Sequence, residues 1–365
     1  MIVTIVAGAR PNFVKIAPII EAIQLKRQEG FNIQYWLVHT GQHYDKNLSD
    51  TFFEELQIPF PDANLNVQSG SQAEQTAAIM IGFEKELQQH PCDLVMVVGD
   101  VTSTMACTVV AKKMGIKVAH VEAGIRSGDM QMPEEINRIV TDSLTDYFFT
   151  TSTSANNNLK KLGFSQQCMF FVGNVMIDTL RKNENRLKQP LFWNNLNLSN
   201  KKYLVMTLHR PSNVDEAHQL KILITKIVEL SKEYPIVFPV HPRTKKMLEG
   251  LNLNFKNLHY VEPLGYLEFN FLVKNALAVL TDSGGITEEA TVMNVPCMTL
   301  RDNTERPETC DIGTNILVGN DTKKMNEAFS LLFSRKWKQG RIPELWDGKA
   351  AERIVNHLVE IYRLQ

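Results

Sequence analysis

The chain carries neither a GxGxxG dinucleotide fingerprint nor a GxxxxGK[ST] phosphate loop, so neither a nicotinamide site nor a P-loop is expected. It also lacks HExxH. His39, His43 and His120 stand at spacings that match no zinc pattern and read as structural or substrate-contact residues, so no metal is expected. Cysteine is scarce, at five in 365 residues, dispersed and never in a CxxC pair, which argues against both a disulfide framework and a cysteine zinc site. Charge of one sign is missing too. Lys plus Arg total 39 against 40 Asp plus Glu, a formal net charge of -1, so bulk attraction to nucleic acid or anionic lipid is not expected. No uncharged apolar run approaches the roughly 18 residues that a membrane span needs. The opening MIVTIVAGARPNFVK has no basic leader and reads as a buried strand, not a signal peptide. The expectation is a cytoplasmic protein with reduced thiols and no membrane insertion.

What is present is a rhythm. Ile2–Ala7, Ile33–His39, Asp93–Val98 and Lys117–Val121 are continuous apolar runs bounded by Gly, Asp or His, as strands covered on both faces read. Helical stretches at 12–26 and 102–114 separate them, which implies βαβ units and a parallel sheet. The rhythm restarts with Tyr203–Thr207, a helix at 215–232, Ile236–Val240, Ala278–Thr281 and Pro296–Leu300. Between the halves, residues 181–202 hold six Asn and six Lys or Arg against one acid, the composition of a border region. At about 150 residues per domain the length fits two domains. The predicted fold class is α/β, with two doubly wound Rossmann-like domains facing a cleft. The first spans residues 1–173, completed by a C-terminal helix at 350–365, and the second spans 174–349.

Unusual polar residues collect where the predicted strands end, which is where ligands sit on such sheets. The first strand runs into Gly8-Ala9-Arg10-Pro11-Asn12-Phe13-Val14-Lys15. A small-residue turn opening a helix suits an anion, and Arg10 and Lys15 add full positive charges. The third strand ends at Gly99-Asp100, where Asp100 either caps the next helix or faces the cleft. Glu122 directly follows a buried run, so its carboxylate must be paired or functional. Pro133-Glu134-Glu135 opens a helix with two acids in its first turn. In the second half, His209-Arg210 at a strand end suits a diphosphate, and the histidine is also able to move a proton. In TDSGGITEEA, Ser283-Gly284-Gly285 between a strand and a helix reads as a phosphate cradle, with Glu289 placed to reach ribose hydroxyls.

Taken in order, GARPNFVK, HTGQHYD, GDVTSTMA, HVEAGIRSGDMQMPEEINR, TLHRPSNVD, TDSGGITEEA and RDNTERPET resemble the non-hydrolysing UDP-N-acetylglucosamine 2-epimerases over nearly the whole chain. That resemblance implies the glycosyltransferase-B fold, interconversion of UDP-GlcNAc and UDP-ManNAc without NAD or metal, a homodimer, and supply of a sugar nucleotide for polysaccharide. It also implies catalytic roles for Asp100, Glu122, Glu134, His209, Lys15 and Arg10. UDP contacts fall on Arg10, His209, Phe269, Ser283, Gly284, Gly285 and Glu289, and Arg138 joins the substrate pocket. Simple deprotonation at C2 is blocked, because that carbon is not adjacent to a carbonyl. Expelling UDP first creates an oxocarbenium-like centre at C1 and acidifies the C2 hydrogen. An enzyme-bound 2-acetamidoglucal follows, and re-addition with inverted protonation completes the epimerisation. Two features depart from the family pattern. Asn12 stands where many members have an acid, and Gln42-His43-Tyr44-Asp45 stands where some carry the Gln-His-Arg-Gln loop of an activating second site. The alternatives are a C2 epimerase of a related UDP-2-acetamido sugar, of the fucosamine or diacetamido-uronate type, a sugar transferase on the same fold, or a non-catalytic sugar-nucleotide sensor.

Overall fold

The run Ile2–Ala7 (IVTIVA) forms β1, and from Val3 onward all of its side chains are buried, as β-branched residues in a doubly covered strand should be. The computed structural model describes residues 1–41, 53–240, 242–251 and 253–363, and the side chains of Arg10, Pro242 and Arg243 are not among the described ones. The Gln42–Asp45 departure therefore lies outside the described residues.

The chain divides into two compact units, residues 1–182 with 344–365, and residues 183–343. The first unit holds β1, β2 (Gln34–His39), β3 (Ala63–Asn64), β4 (Leu94–Val98), β5 (Lys117–Val121), β6 (Tyr147–Thr150) and β7 (Met169–Phe171). These form one sheet in the order β3-β2-β1-β4-β5-β6-β7, and every pairing is parallel. The second unit holds β8 (Leu204–Thr207), β9 (Ile236–Pro239), β10 (Leu258–Val261), β11 (Ala278–Thr281), β12 (Cys297–Thr299) and β13 (Asn315–Leu317). Their order is β10-β9-β8-β11-β12-β13, again all parallel. Both sheets reverse direction of winding at their first strand, between β1 and β4 and between β8 and β11. Crevices at such switch points receive ligands in doubly wound folds.

Helix Val175–Asn183 falls in the second domain by the sequence-based border and in the first unit by its contacts. Thr179 Oγ1 donates to the Val14 carbonyl at 2.6 Å, and Asp178 accepts from the amides of Ala350 and Ala351 at 3.1 and 2.7 Å. Asp178 thereby caps the last helix, Ala350–Arg363, from a distant part of the chain. Burial pushes the Asp178 carboxyl up to about 6, against the pull of those two amides. Trp346 is buried nearby and donates its ring N–H to the Thr151 carbonyl at 3.0 Å. No helix among the described residues is long and apolar enough to cross a membrane.

Candidate active site

In the first unit the switch point is built by the ends of β1, β4 and β5. Asn12, in the first turn of helix Arg10–Gln28, accepts from the amides of Gly8 and Ala9 at 3.1 and 3.0 Å and donates to the Val98 carbonyl at 3.0 Å. This residue ties the end of β1 to the end of β4, so its amide does a structural job that a carboxylate could not do in full. Lys15, one turn later, is 7% exposed and ion-paired with Glu122. Glu122 is itself buried and has φ +73°, a left-handed conformation that non-glycine residues adopt at a cost. Gly99 also has φ +68°, and a Cβ there would stand 2.9 Å from Lys15 Nζ and 3.4 Å from Glu122 Oε2. The backbone conformation favours glycine there, and an added Cβ would press on the buried lysine of the Lys15–Glu122 pair.

Asp100 follows Gly99 and accepts from Arg138 Nη2 at 2.5 Å, while its carbonyl accepts from Asn137 Nδ2 at 2.9 Å. Asp100 is therefore held by helix Pro133–Leu144 and does not cap helix Thr102–Lys113, whose N-cap is Val101. Arg138 Nη1 donates to Glu135 Oε2 at 2.7 Å, and Glu135 also accepts from Ser127 and Gly128 amides at 2.9 and 3.0 Å. Burial raises the Glu135 carboxyl, but those amides and the Arg138 guanidinium outweigh it and hold the group below its usual range. Of the two acids that open this helix, Glu135 is thus the structural one. Glu134 is half-buried in the same first turn.

Beneath these residues His120, expected as a structural or substrate-contact residue, pairs with Asp142, which the motifs left without a role. His120 Nδ1 meets Asp142 Oδ1 at 2.7 Å and His120 Nε2 meets the Gly99 carbonyl at 2.8 Å, with both side chains buried.

In the second unit the switch point lies between β8 and β11, where Thr207 and Thr281 share a 2.6 Å hydroxyl contact. Asp282 is buried just beyond β11 and accepts from the amides of His209 and Arg210 and from Asn213 Nδ2 at 2.9 to 3.1 Å. His209 Nδ1 stands 2.7 Å from Asp282 Oδ1 on a side chain 47% exposed. Burial raises Asp282, but the His209 contact and the two amides outweigh it and keep the carboxyl below its usual range. An ionised carboxylate only accepts, so Nδ1 donates and Nε2 remains free for a ligand. Asp282 was hidden in the TDSGG motif. Its position directly after a buried run was the available signal, the same one that singled out Glu122.

Ser283 is the N-cap of helix Gly284–Val292, whose first amides have no partners within the helix. A Cβ on Gly284 would lie 2.5 Å from Glu305 Oε1. Glu305 is gripped by Arg301 at 3.2 and 2.7 Å and lies 4.0 Å from Arg210 Nη2, which places two guanidinium groups beside the Ser283-Gly284-Gly285 turn. Buried Arg306 pairs with buried Glu288 on that helix. Arg301, Glu305 and Arg306 come from RDNTERPET, which the resemblance used as a motif without assigning its residues. Glu289 is buried, and burial pushes its carboxyl up to about 7, against hydrogen bonds from Tyr266 at 2.9 Å and Asn270 at 3.4 Å. Phe269, on the same helix as Tyr266 and Asn270, is half-buried and packs against the core.

Lys15, Asp100, Glu122, Glu134 and Arg138 thus gather in the first unit, and His209, Phe269, Ser283, Gly284, Gly285 and Glu289 in the second. Residues 24–359 match the model of the family described as UDP-N-acetylglucosamine 2-epimerase. Among curated proteins, the chain is 43% identical to a UDP-N-acetylglucosamine 2-epimerase of Methanocaldococcus jannaschii, over 98% of this chain and 99% of that protein. It is 38% identical to a UDP-2,3-diacetamido-2,3-dideoxy-D-glucuronate 2-epimerase of Pseudomonas aeruginosa, over 99% of each. Among solved structures, a crystal structure of the M. jannaschii UDP-GlcNAc 2-epimerase with UDP-GlcNAc and UDP aligns with a TM-score of 0.89 at 42% identity, covering 99% of this chain and 100% of that one.

Proposed function

The chain belongs to the UDP-N-acetylglucosamine 2-epimerase family, an isomerase with two Rossmann-like units of the glycosyltransferase-B type, and we propose that it converts UDP-N-acetylglucosamine to UDP-N-acetylmannosamine without hydrolysis. The observation that carries this reading is the near-complete alignment with the M. jannaschii enzyme solved with UDP-GlcNAc and UDP.

In the proposed reaction, UDP leaves by anti-elimination. The C1–O bond breaks with its electron pair going to the diphosphate, and the C2 proton passes to an enzyme base. The resulting 2-acetamidoglucal stays bound, and UDP re-adds at C1 while a proton is delivered to the other face of C2. Asp100 and Glu134 are the proposed carriers of the C2 protons. Asp100 suits this role because it is partly exposed and oriented by Arg138. Glu122 serves differently: buried against Lys15, it is fixed as an anion that orients the site and supports the cationic centre at C1.

The leaving diphosphate is assigned to Arg10, His209 and the amides of the Ser283-Gly284-Gly285 turn. Asp282 supports His209 in this task, because its carboxylate accepts the Nδ1–H and fixes the orientation of the ring, leaving Nε2 as the atom for the phosphate. Glu289 is assigned to the ribose hydroxyls and Phe269 to the uracil. No nicotinamide or metal enters this scheme. A homodimer is part of the same reading, to be checked by sedimentation.

Incubation with UDP-GlcNAc in deuterated water tests the reaction. UDP-ManNAc carrying deuterium at C2 is expected, and release of free sugar and UDP without epimer would overturn the reading. The second substrate reading, a UDP-diacetamido-glucuronate, is favoured by the 38% identical Pseudomonas relative. A parallel incubation with that sugar nucleotide compares the two kcat/KM values directly.

A further inference from the structure

His120 and Asp142 take no part in the steps above, yet they are buried directly beneath the residue those steps depend on most. Each ring nitrogen of His120 faces an oxygen: Asp142 Oδ1 at 2.7 Å and the Gly99 carbonyl at 2.8 Å. A backbone carbonyl only accepts. A neutral imidazole has one N–H, so it would satisfy one of these oxygens and oppose a lone pair to the other, unless Asp142 were protonated. Asp142 is not placed to be neutral. Its Oδ2 stands 2.7 Å from Arg126 Nη1 and accepts the Gly124 amide at 3.1 Å. That guanidinium and that amide both favour the ionised carboxylate, whatever the state of the ring.

The far end of this chain is the Gly99–Asp100 step. The Gly99 amide donates to the Val121 carbonyl at 3.0 Å, so both polar groups of Gly99 are tied to β5. Its φ of +68° sets the direction in which Asp100 leaves the strand. Asn137, Arg138 and Asp142 all lie on helix Pro133–Leu144, so one helix holds the Asp100 carbonyl, the Asp100 carboxylate and, through His120, the Gly99 carbonyl. The charged groups around the ring are Asp142 and Arg126 on one side, with Lys15 and Glu122 next to Gly99 on the other.

We infer that His120 is a positioning residue, held as a buried imidazolium by Asp142, that clamps the Gly99 carbonyl and so aims the Asp100 carboxylate at the substrate. This rests on the proposed epimerase reading. An imidazolium suits the position because it donates from both nitrogens in a rigid plane, which no neutral side chain of that size does.

The test uses two isosteric replacements. His120→Asn keeps an amide donor near Nδ1 and cannot reach Gly99. His120→Gln reaches Gly99 but turns its oxygen toward Asp142. Combining H120Q with Asp142→Asn supplies a donor to that oxygen and rebuilds the clamp without charge. Steady-state kinetics on UDP-GlcNAc should show His120→Asn losing kcat about 100-fold with KM within about threefold, since a misaimed group near 1 Å out costs that much in turnover. The H120Q/D142N pair should recover most of the loss relative to H120Q alone. Melting temperatures of all variants separate misfolding from misplacement. An unchanged kcat in His120→Asn, or a double variant no better than H120Q, would overturn the clamp.

Histidine-selective 15N NMR of the wild-type protein provides a readout independent of turnover. At the pH of the kinetic assay both His120 nitrogens should carry a proton, one donated to Asp142 and one to the Gly99 carbonyl, and a ring with one bare nitrogen would overturn the imidazolium. If the wild-type protein shows no C2 exchange with either sugar nucleotide, the epimerase reading fails, while the NMR result still decides the state of the ring.

Discussion

Both switch points bury carboxylates, but Glu289 of the second unit is left in the opposite state from Glu135 and Asp142 of the first and from Asp282 of its own unit. In the first unit every buried acid at the site meets a cation: Glu122 has Lys15, Glu135 has Arg138, and Asp142 has His120 and Arg126. Glu135 and Asp142 are held below their usual range despite burial. In the second unit Glu289 is as deeply buried, but its hydrogen-bond donors are the neutral groups of Tyr266 and Asn270, and its carboxyl rises to about 7. Neutral donors recover only part of the solvation lost on burial, whereas a cation adds full Coulomb attraction. The difference fits the proposed division of labour. A cationic sugar centre needs fixed anions nearby, whereas a ribose hydroxyl is served equally well by a carboxyl that gains or loses its proton near neutral pH.

The largest effect should come from breaking a pair on the ionised side. Lys15→Met removes the cation buried against Glu122, and should cost about 3–5 kcal/mol of stability in urea unfolding together with turnover. Loss of turnover with stability unchanged would mean that Lys15 is not the partner that pays for burying Glu122.

Glu289→Gln should act in the opposite direction. With a folded-state value of about 7 against an ordinary 4.5, Glu289 binds its proton more tightly in the folded chain than in the unfolded one. Wild-type stability therefore falls as pH rises from about 4.5 to about 7, and above that the full penalty, on the order of 3 kcal/mol, persists. Glutamine removes the penalty, so the variant should be the more stable protein at pH 8 and nearly equal to wild type at pH 4. UDP binding by calorimetry should weaken in the same variant.

Asp178→Ala should cost about 1 kcal/mol, because the helix it caps retains its packed face. Hydrogen exchange should locate the loss at the Ala350 and Ala351 amides. The smallest effect belongs to Lys182→Ala. This lysine pairs with Glu21 at 2.8 Å, the same chemistry as Lys15 with Glu122, but both side chains are more than a third exposed. A change beyond about 1 kcal/mol there would undo the claim that burial, not pairing, sets the energy.

Much of this could be read in the chain. The apolar runs of β1, β4, β5, β8 and β11 stand close to where they were expected, because strands covered on both faces must be continuously apolar. The short strands β3, β6, β7, β10 and β13 were not foreseen. A run as short as Asn315–Leu317 carries too little pattern to register before the neighbouring strand supplies its hydrogen bonds. The expected helix at 215–232 resolves into Pro211–Val214 and Ala217–Leu230. The polar stretch after residue 181 is not mere linker, since Trp193 packs edge-on against Tyr203 and Phe271.

The sequence by itself determined which residues stand at the strand ends and to which family the chain belongs, because both depend on local order along the chain. Only the tertiary structure decided the partner of each acid at the site. Glu122 takes its cation from the helix after β1, Asp100 from a helix that starts beyond β5, and Glu289 finds a phenol and an amide. A carboxyl's charge is set by groups within about 4–6 Å in space, and in a parallel sheet those groups come from strands and helices far apart in the chain.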